Sequence, residues 1–197
     1  MNYQDYRDMV IRTEHGSLET FPKIVHAAVG MNGEAGEVID VIKKHVFHGH
    51  ILDEKELMKE LGDVCWYLML ASIESGSNLK LIFESDNKYI IGYNPYRKNK
   101  CMDNIQGKLI MSATKLNMDC AETAKCIMDY CDKQSYLPKT IFENLRKIKH
   151  DIDDICNILS RNEDITIETI FDINSEKLAK RYPNGFNTKD SIERGDN

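Results

Sequence analysis

Two short acidic words constrain this chain more than anything else in it: Glu34-Ala35-Gly36-Glu37 and Glu60-Leu61-Gly62-Asp63. Each sets two carboxylates three residues apart, inside a stretch whose apolar residues recur with helical spacing. At about 3.6 residues per turn, positions i and i+3 share one face of an α-helix. Packed antiparallel, two such helices aim four carboxylates at one point. Four like charges at the seam of a bundle repel one another and are costly to bury unless a cation sits among them. Oxygen donors with no His or Cys suit Mg²⁺ or Mn²⁺ rather than Zn²⁺. Mg²⁺ held by a few carboxylates completes its shell with water and substrate phosphates. The chemistry that fits such a site is metal-assisted attack of water on a nucleotide phosphate.

The rest of the chain also reads as helix. Tyr6, Met9, Val10 and Thr13 outline a first helix over about residues 3–15, interrupted by Gly16-Ser17. Pro22 suits the first turn of a second helix. Its stripe runs through Ile24, Val25, Ala28, Val29, Val38, Val41 and Ile42 and ends near His48-Gly49-His50. Glycine inside a helix costs about 1 kcal/mol relative to alanine. The glycines of Gly33-Glu34-Ala35-Gly36-Glu37 therefore predict a close helix approach beside the carboxylates. Asp53 is a good N-cap for a third helix, with Glu56 three residues on. That helix carries Leu57, Leu61, Val64, Cys65, Leu68 and Ala71, and stops around Ser75-Gly76-Ser77-Asn78.

Residues 81–104, with Gly92 and Pro95, read as an irregular connection. Helical periodicity resumes from about Ile105 to Cys131 and from about Pro138 to Leu159, giving a second hairpin within 105–164. A closing helix follows within 165–183, with Ile167, Ile170, Phe171, Ile173 and Leu178 on its apolar side. A polar tail covers 184–197. The expectation is a single all-α domain over 1–197, a helical bundle whose first half, 3–80, holds the metal site and whose second half is an inserted or duplicated hairpin.

The second half echoes the first. Asn117-Met118-Asp119-Cys120-Ala121-Glu122 aligns with Asn32-Gly33-Glu34-Ala35-Gly36-Glu37, and Asp151-Ile152-Asp153-Asp154-Ile155-Cys156 with Glu60-Leu61-Gly62-Asp63-Val64-Cys65. Both halves thus show acid-x-x-acid twice. The copy lacks the glycines and shortens its first acid, so Asp119, Glu122, Asp151 and Asp154 are expected to bind metal weakly.

A length of 197 residues suffices for one well-buried domain. The net charge of −6 argues against a nucleic-acid polymer as the main partner, since a phosphate backbone needs a basic surface. A single nucleotide needs only a few local cations. The start of the chain shows no basic region followed by an apolar run, and no stretch is long enough to cross a membrane. The six cysteines form no C-x-x-C pair and read as free thiols in a reducing compartment, so a cytoplasmic protein is expected. His45, His48 and His50 cluster near a helix end, where a solvated turn explains them better than zinc.

The acidic words and their surroundings resemble the signature of the all-α nucleoside triphosphate pyrophosphohydrolases, the superfamily of MazG, the dCTP pyrophosphatases and the dimeric dUTPases. The resemblance is carried by three stretches. His26-Ala27-Ala28-Val29-Gly30-Met31-Asn32-Gly33-Glu34-Ala35-Gly36-Glu37-Val38 is similar to the entry to the second helix, and Lys59-Glu60-Leu61-Gly62-Asp63-Val64-Cys65-Trp66-Tyr67-Leu68 to the third. Asn174-Ser175-Glu176-Lys177-Leu178-Ala179-Lys180-Arg181-Tyr182-Pro183-Asn184-Gly185-Phe186 is similar to the closing helix and tail. The chain departs from a compact MazG unit over about 81–164, which brings it closer to the dimeric dUTPases.

The resemblance implies attack of water between the α- and β-phosphates of a nucleoside triphosphate, one with a deoxyribose by preference, giving a monophosphate and pyrophosphate. It implies Mg²⁺ as cofactor, with Mn²⁺ as substitute, and a homodimer or higher homo-oligomer. Glu37, Glu60 and Asp63 take metal roles and Glu34 that of ligand or base. Asn174 and Tyr67 are candidates to touch the nucleotide, and Lys177, Arg181 and Lys44 to meet its phosphates. Two alternatives stay open: a dUTPase-like specificity, and a bundle that binds nucleotide or a partner without turnover. Di-iron carboxylate bundles use Glu-x-x-His words, and here both words end in an acid.

Overall fold

The computed structural model describes residues 1–14, 22–84, 104–133, 139–160 and 164–187. Seven α-helices make up the described residues: α1 (Tyr3–Thr13), α2 (Lys23–His48), α3 (Glu54–Glu74), α4 (Leu79–Phe83), α5 (Ile105–Lys133), α6 (Lys139–Leu159) and α7 (Ile167–Arg181). The architecture is all-α, as the periodicity predicts. None of these helices is long and apolar enough to cross a membrane. Gly16-Ser17, Cys101, most of the 81–104 connection and the tail from 188 onward lie outside the described residues.

Local chemistry sets the helix ends. Asn2 caps α1 by accepting from the backbone N–H groups of Gln4 and Asp5, each at 2.9 Å. Pro22 stands just outside α2 as its cap residue rather than within the first turn. At the other end of α2, Gly49 adopts φ +76°, a left-handed conformation that closes the helix without a Cβ penalty. Asp53 accepts from the N–H of Glu56 at 3.0 Å and opens α3. One short element, α4, escapes the periodicity analysis. It is a five-residue helix capped by Asn78, and its buried Ile82 and Phe83 cover the core.

The core forms where helix stripes meet. α2 and α3 fold back on each other, α5 packs along α2, and α6 packs against α5 and α3. Their buried rows include Met31, Ala35, Val38 and Ile42 of α2, Leu57, Leu61, Val64 and Leu68 of α3, Leu109, Leu116 and Ile127 of α5, and Leu145, Ile148 and Ile152 of α6. α7 lies against α3, with α1 bridging the two. Tyr6 of α1 stacks on Phe171 of α7, ring centroids 4.0 Å apart and planes within 10°. Trp66 of α3 donates its indole N–H to Thr13 Oγ1 at 2.9 Å and ties the end of α1 to the same helix. Cys65, Cys120 and Cys156 are buried thiols, while Cys126 and Cys131 are partly exposed.

Two glycines in this framework are required by close approach. A Cβ on Gly30 would lie 2.3 Å from the ring of Tyr67, and one on Gly62 would lie 2.8 Å from Asn174 Cβ. Among the described residues, Gly33 and Gly36, expected to mark close packing, instead have nothing within 4 Å of where a Cβ would stand. That face of α2 is open. The close contacts are made one turn earlier on α2 and between the acids of α3.

Candidate metal centre

The burial pattern of α2 and α3 places their acids. Ala35 and Val38 on α2 are buried, and Glu34 beside them is turned toward α3, half exposed. On α3, Leu57, Leu61 and Val64 face the core, so Glu60 and Asp63 share the neighbouring face at i, i+3 spacing. One carboxylate oxygen from each of Glu34, Glu60 and Asp63 lies within 4.8 Å of the other two. Among the described residues this is the group of potential ligands close enough to share one ion. Glu37, one turn beyond Glu34, is exposed and stands outside that distance. The structure thus gathers three of the four acids. The fourth reaches into solvent at the rim.

The electrostatics of the group show strain of one sign. Partial burial pushes the Glu60 carboxyl up to about 7, with the charges of Asp63 and Glu34 pushing in the same direction and Lys177 against it. Desolvation and the neighbouring carboxylates both favour the protonated form there, and a cation among the three oxygens would favour the charged form. The donor set, three carboxylates without His or Cys, fits a hard divalent ion, and the spacing allows one ion to touch all three.

α7 supplies the other half of the site. Lys177 forms an ion pair with Asp63 through Oδ2, and Asn174 donates Nδ2 to Asp63 Oδ1 at 2.9 Å. Asn174 is fully buried, and its Oδ1 accepts the hydroxyl hydrogen of Tyr6 at 2.8 Å. The same hydroxyl lies 3.3 Å from the carbonyl oxygen of Gly62. Asp63 is therefore gripped on both oxygens, and the missing side chain at Gly62 is what lets Asn174 reach it. Sequence reasoning named Asn174 and Lys177 but missed Tyr6, which it took only as an apolar position of α1. Nothing in the sequence indicates which polar group a buried phenol will meet.

The remaining candidates sit around this centre at different distances. Tyr67, one turn past Asp63, lies across α2 at Gly30, edge-on to Trp66 (4.9 Å between centroids) and to His26 (5.4 Å). Arg181 ends α7, one turn beyond Lys177, and is partly exposed. Lys44 belongs to the far end of α2, where its Nζ lies 2.7 Å from Asp40. Lys43 and Lys44 together hold the Asp40 carboxyl down at about 2. Lys44 is thus engaged two turns beyond Glu37, away from the acid group.

The second acid set is arranged differently. Asp151 of α6 is fully buried and paired with Lys115 of α5. Burial, above all, pushes its carboxyl up to about 8. Asp119 alongside adds to that, and the ammonium of Lys115 opposes it. Lys115 is the ion-pair partner of Asp151 alone among these four acids in the described contacts. His150 of α6 lies 3.9 Å from Asp154.

Residues 27–90 match the family model of the MazG nucleotide pyrophosphohydrolase domain. The matched span takes in the acids of both words together with Gly30, Gly62 and Tyr67, and ends well before α7. Over that span the chain is MazG-like, in keeping with the all-α nucleoside triphosphate pyrophosphohydrolases. Comparison with curated proteins and with solved structures returned no match.

Proposed function

We propose, from this MazG-like segment and the acids it contributes, that the protein is a Mg²⁺-dependent nucleoside triphosphate pyrophosphohydrolase releasing a monophosphate and pyrophosphate. The observation that carries the reading is the convergence of Glu34, Glu60 and Asp63 oxygens within 4.8 Å on the two helices of the matched span. Bound there, Mg²⁺ would polarise the phosphoryl oxygens and offset charge gathering on the leaving pyrophosphate.

In this reading Glu34, Glu60 and Asp63 hold the ion, and Glu37 at the exposed rim completes the acidic edge that receives it. A carboxylate of the group not committed to the ion orients the attacking water and takes its proton. Lys177 and Arg181, a turn apart on α7, meet the negative oxygens of the triphosphate. Tyr67 offers a ring face to the base. Gly33 and Gly36 leave the flank of α2 clear beside these groups, where a side chain would crowd an approaching triphosphate. Lys44 serves at most the outer edge, since Asp40 already engages it.

The test is incubation with Mg²⁺ and a panel of ribo- and deoxynucleoside triphosphates, products separated by ion exchange. Monophosphate and pyrophosphate are expected, with loss of turnover by orders of magnitude in Glu60→Gln and Asp63→Asn. A diphosphate as first product, or near-normal turnover in those variants, would overturn the assignment. Strong preference for dUTP would favour the dUTPase-like alternative, whose chain also carries extra helices. No turnover with retained nucleotide binding would favour a non-catalytic bundle.

A homodimer belongs to the same proposal. Phe47 in the last turn of α2 and Ile51 in the connection to α3, 67% and 94% exposed, are apolar surface that a second copy would cover. Sedimentation equilibrium tests it, and a monomer at micromolar concentration rejects it.

A further inference from the structure

Asn174 is the middle link of a buried chain that starts on α1 and ends at an acid of α3. Tyr6 is fully buried, its ring stacked on Phe171 and its hydroxyl 2.8 Å from Asn174 Oδ1. Asn174 in turn donates Nδ2 to Asp63 Oδ1 at 2.9 Å. The two ends of an amide are nearly the same size, so close packing does not distinguish them. Only hydrogen bonding does. With the phenol hydrogen on Oδ1, the NH₂ group is left facing Asp63 and donates to it. Turned over, the amide would set its oxygen against a carboxylate oxygen, acceptor against acceptor. The phenol keeps its hydrogen throughout, because burial, with Cys65 and Asp63 nearby, raises its ionisation well above the ordinary tyrosine range.

We propose that Tyr6 is a positioning residue for the metal centre: its hydroxyl fixes the Asn174 amide, and that amide holds Asp63 toward Glu34 and Glu60. The inference rests on reading these acids as a cation site. Tyr6 lies in α1, outside the matched span, and touches none of the three acids itself. Its effect passes through α7. Without the hydroxyl, Asn174 Oδ1 loses its 2.8 Å donor in a fully buried position. A buried acceptor without a partner is costly, so the amide shifts to regain one, and the carboxylate it holds shifts with it.

The experiment is Mn²⁺ binding to the full chain, followed by electron paramagnetic resonance, in wild type, Tyr6→Phe, Asn174→Ala, the double variant and Phe171→Leu. Tyr6→Phe keeps the ring and its stack, and should raise the Mn²⁺ Kd about 3–10-fold, the worth of one neutral hydrogen bond. Asn174→Ala should weaken binding at least as much. The double variant should bind within twofold of Asn174→Ala alone, because Tyr6 acts only through that amide. Phe171→Leu should lower the melting temperature while leaving the Kd unmoved, which separates positioning from general loosening.

A Tyr6→Phe Kd within twofold of wild type, additive losses in the double variant, or an equal shift in Phe171→Leu would each overturn the proposal. In wild type, a slowly exchanging Tyr6 hydroxyl proton is expected by NMR whether or not the variants fold, and its absence would also overturn it. Failure of the underlying site reading has a different signature. In that case wild type takes up no Mn²⁺, or Asp63→Asn takes it up unchanged, and both readings fall together.

Discussion

Replacing Gly62 by alanine puts a methyl group where Asn174 already is. The new Cβ would lie 2.8 Å from Asn174 Cβ, 3.1 Å from its Nδ2 and 3.3 Å from its Cγ. Carbon atoms settle at about 3.5–4.0 Å, so α7 must retreat from α3 by about 0.7–1.2 Å. The Asn174–Asp63 hydrogen bond starts at 2.9 Å and would stretch past about 3.5 Å, where it ceases to be one. Overpacking costs about 1–3 kcal/mol and a hydrogen bond to a charged group about 1.5–3 kcal/mol. The better helix propensity of alanine offsets about 1 kcal/mol. The net loss is about 1.5–5 kcal/mol. For a chain of this size each kcal/mol moves the melting temperature by about 2–4 °C, so a fall of roughly 3–20 °C is expected. Mn²⁺ affinity should fall with it.

Gly36→Ala supplies the paired control. None of the described residues stands within 4 Å of that position, so the helix term acts and the melting temperature should rise by about 2–4 °C. Differential scanning calorimetry of the two variants reads both effects. A Gly62→Ala protein that melts at or above wild type and binds Mn²⁺ normally would refute the claim that helix proximity at Gly62 builds the site.

Three further outcomes follow from the same geometry. Lys177→Met removes the ammonium that pairs with Asp63, so Mn²⁺ should bind more tightly without nucleotide while the KM for triphosphate rises about tenfold; weaker Mn²⁺ binding would contradict the pairing. Burial pushes the Glu60 carboxyl from an ordinary 4.5 up to about 7. Its contribution to stability is therefore present below about 4.5 and lost as pH rises through about 7, while Mg²⁺ must displace its proton. Mg²⁺ affinity by calorimetry should climb between pH 5 and about 7 and level off above, and Glu60→Gln should flatten the climb. Asp151, raised to about 8, contributes stability at low pH that is lost as pH rises through about 8. Asp151→Asn should remove that decline in thermal melts between about pH 4 and 8, and an unchanged pH profile would count against a buried, proton-retaining carboxyl.

How much of this was legible in the chain depends on the range of the interaction involved. Helix existence is local: the apolar stripes of α2, α3, α5, α6 and α7, the Asp53 cap and the Gly49 stop all act within a few residues of each other. The pairing of acids at i, i+3 is equally local, so the sequence by itself determined that Glu34 and Glu37, and Glu60 and Asp63, would share helix faces. Short α4 was missed because five residues give too little periodicity to read, and what holds it is burial of Ile82 and Phe83 against distant helices.

Only the tertiary structure decided which acids meet. Helix rotation about its own axis is set by packing, and the packing that buries Ala35 and Val38 turns Glu34 inward and leaves Glu37 at the rim. The meaning of the glycines was settled the same way. Gly62 and Gly30 are demanded by side chains that lie far away or on another helix, Asn174 and Tyr67, whereas Gly33 and Gly36 border open space. The hydrogen-bond chain from Tyr6 through Asn174 to Asp63 spans sequence separations of 168 and 111 residues. No short-range pattern encodes such a chain. It exists because α1, α3 and α7 are pressed together by their apolar faces, and the polar groups caught between them had to satisfy one another.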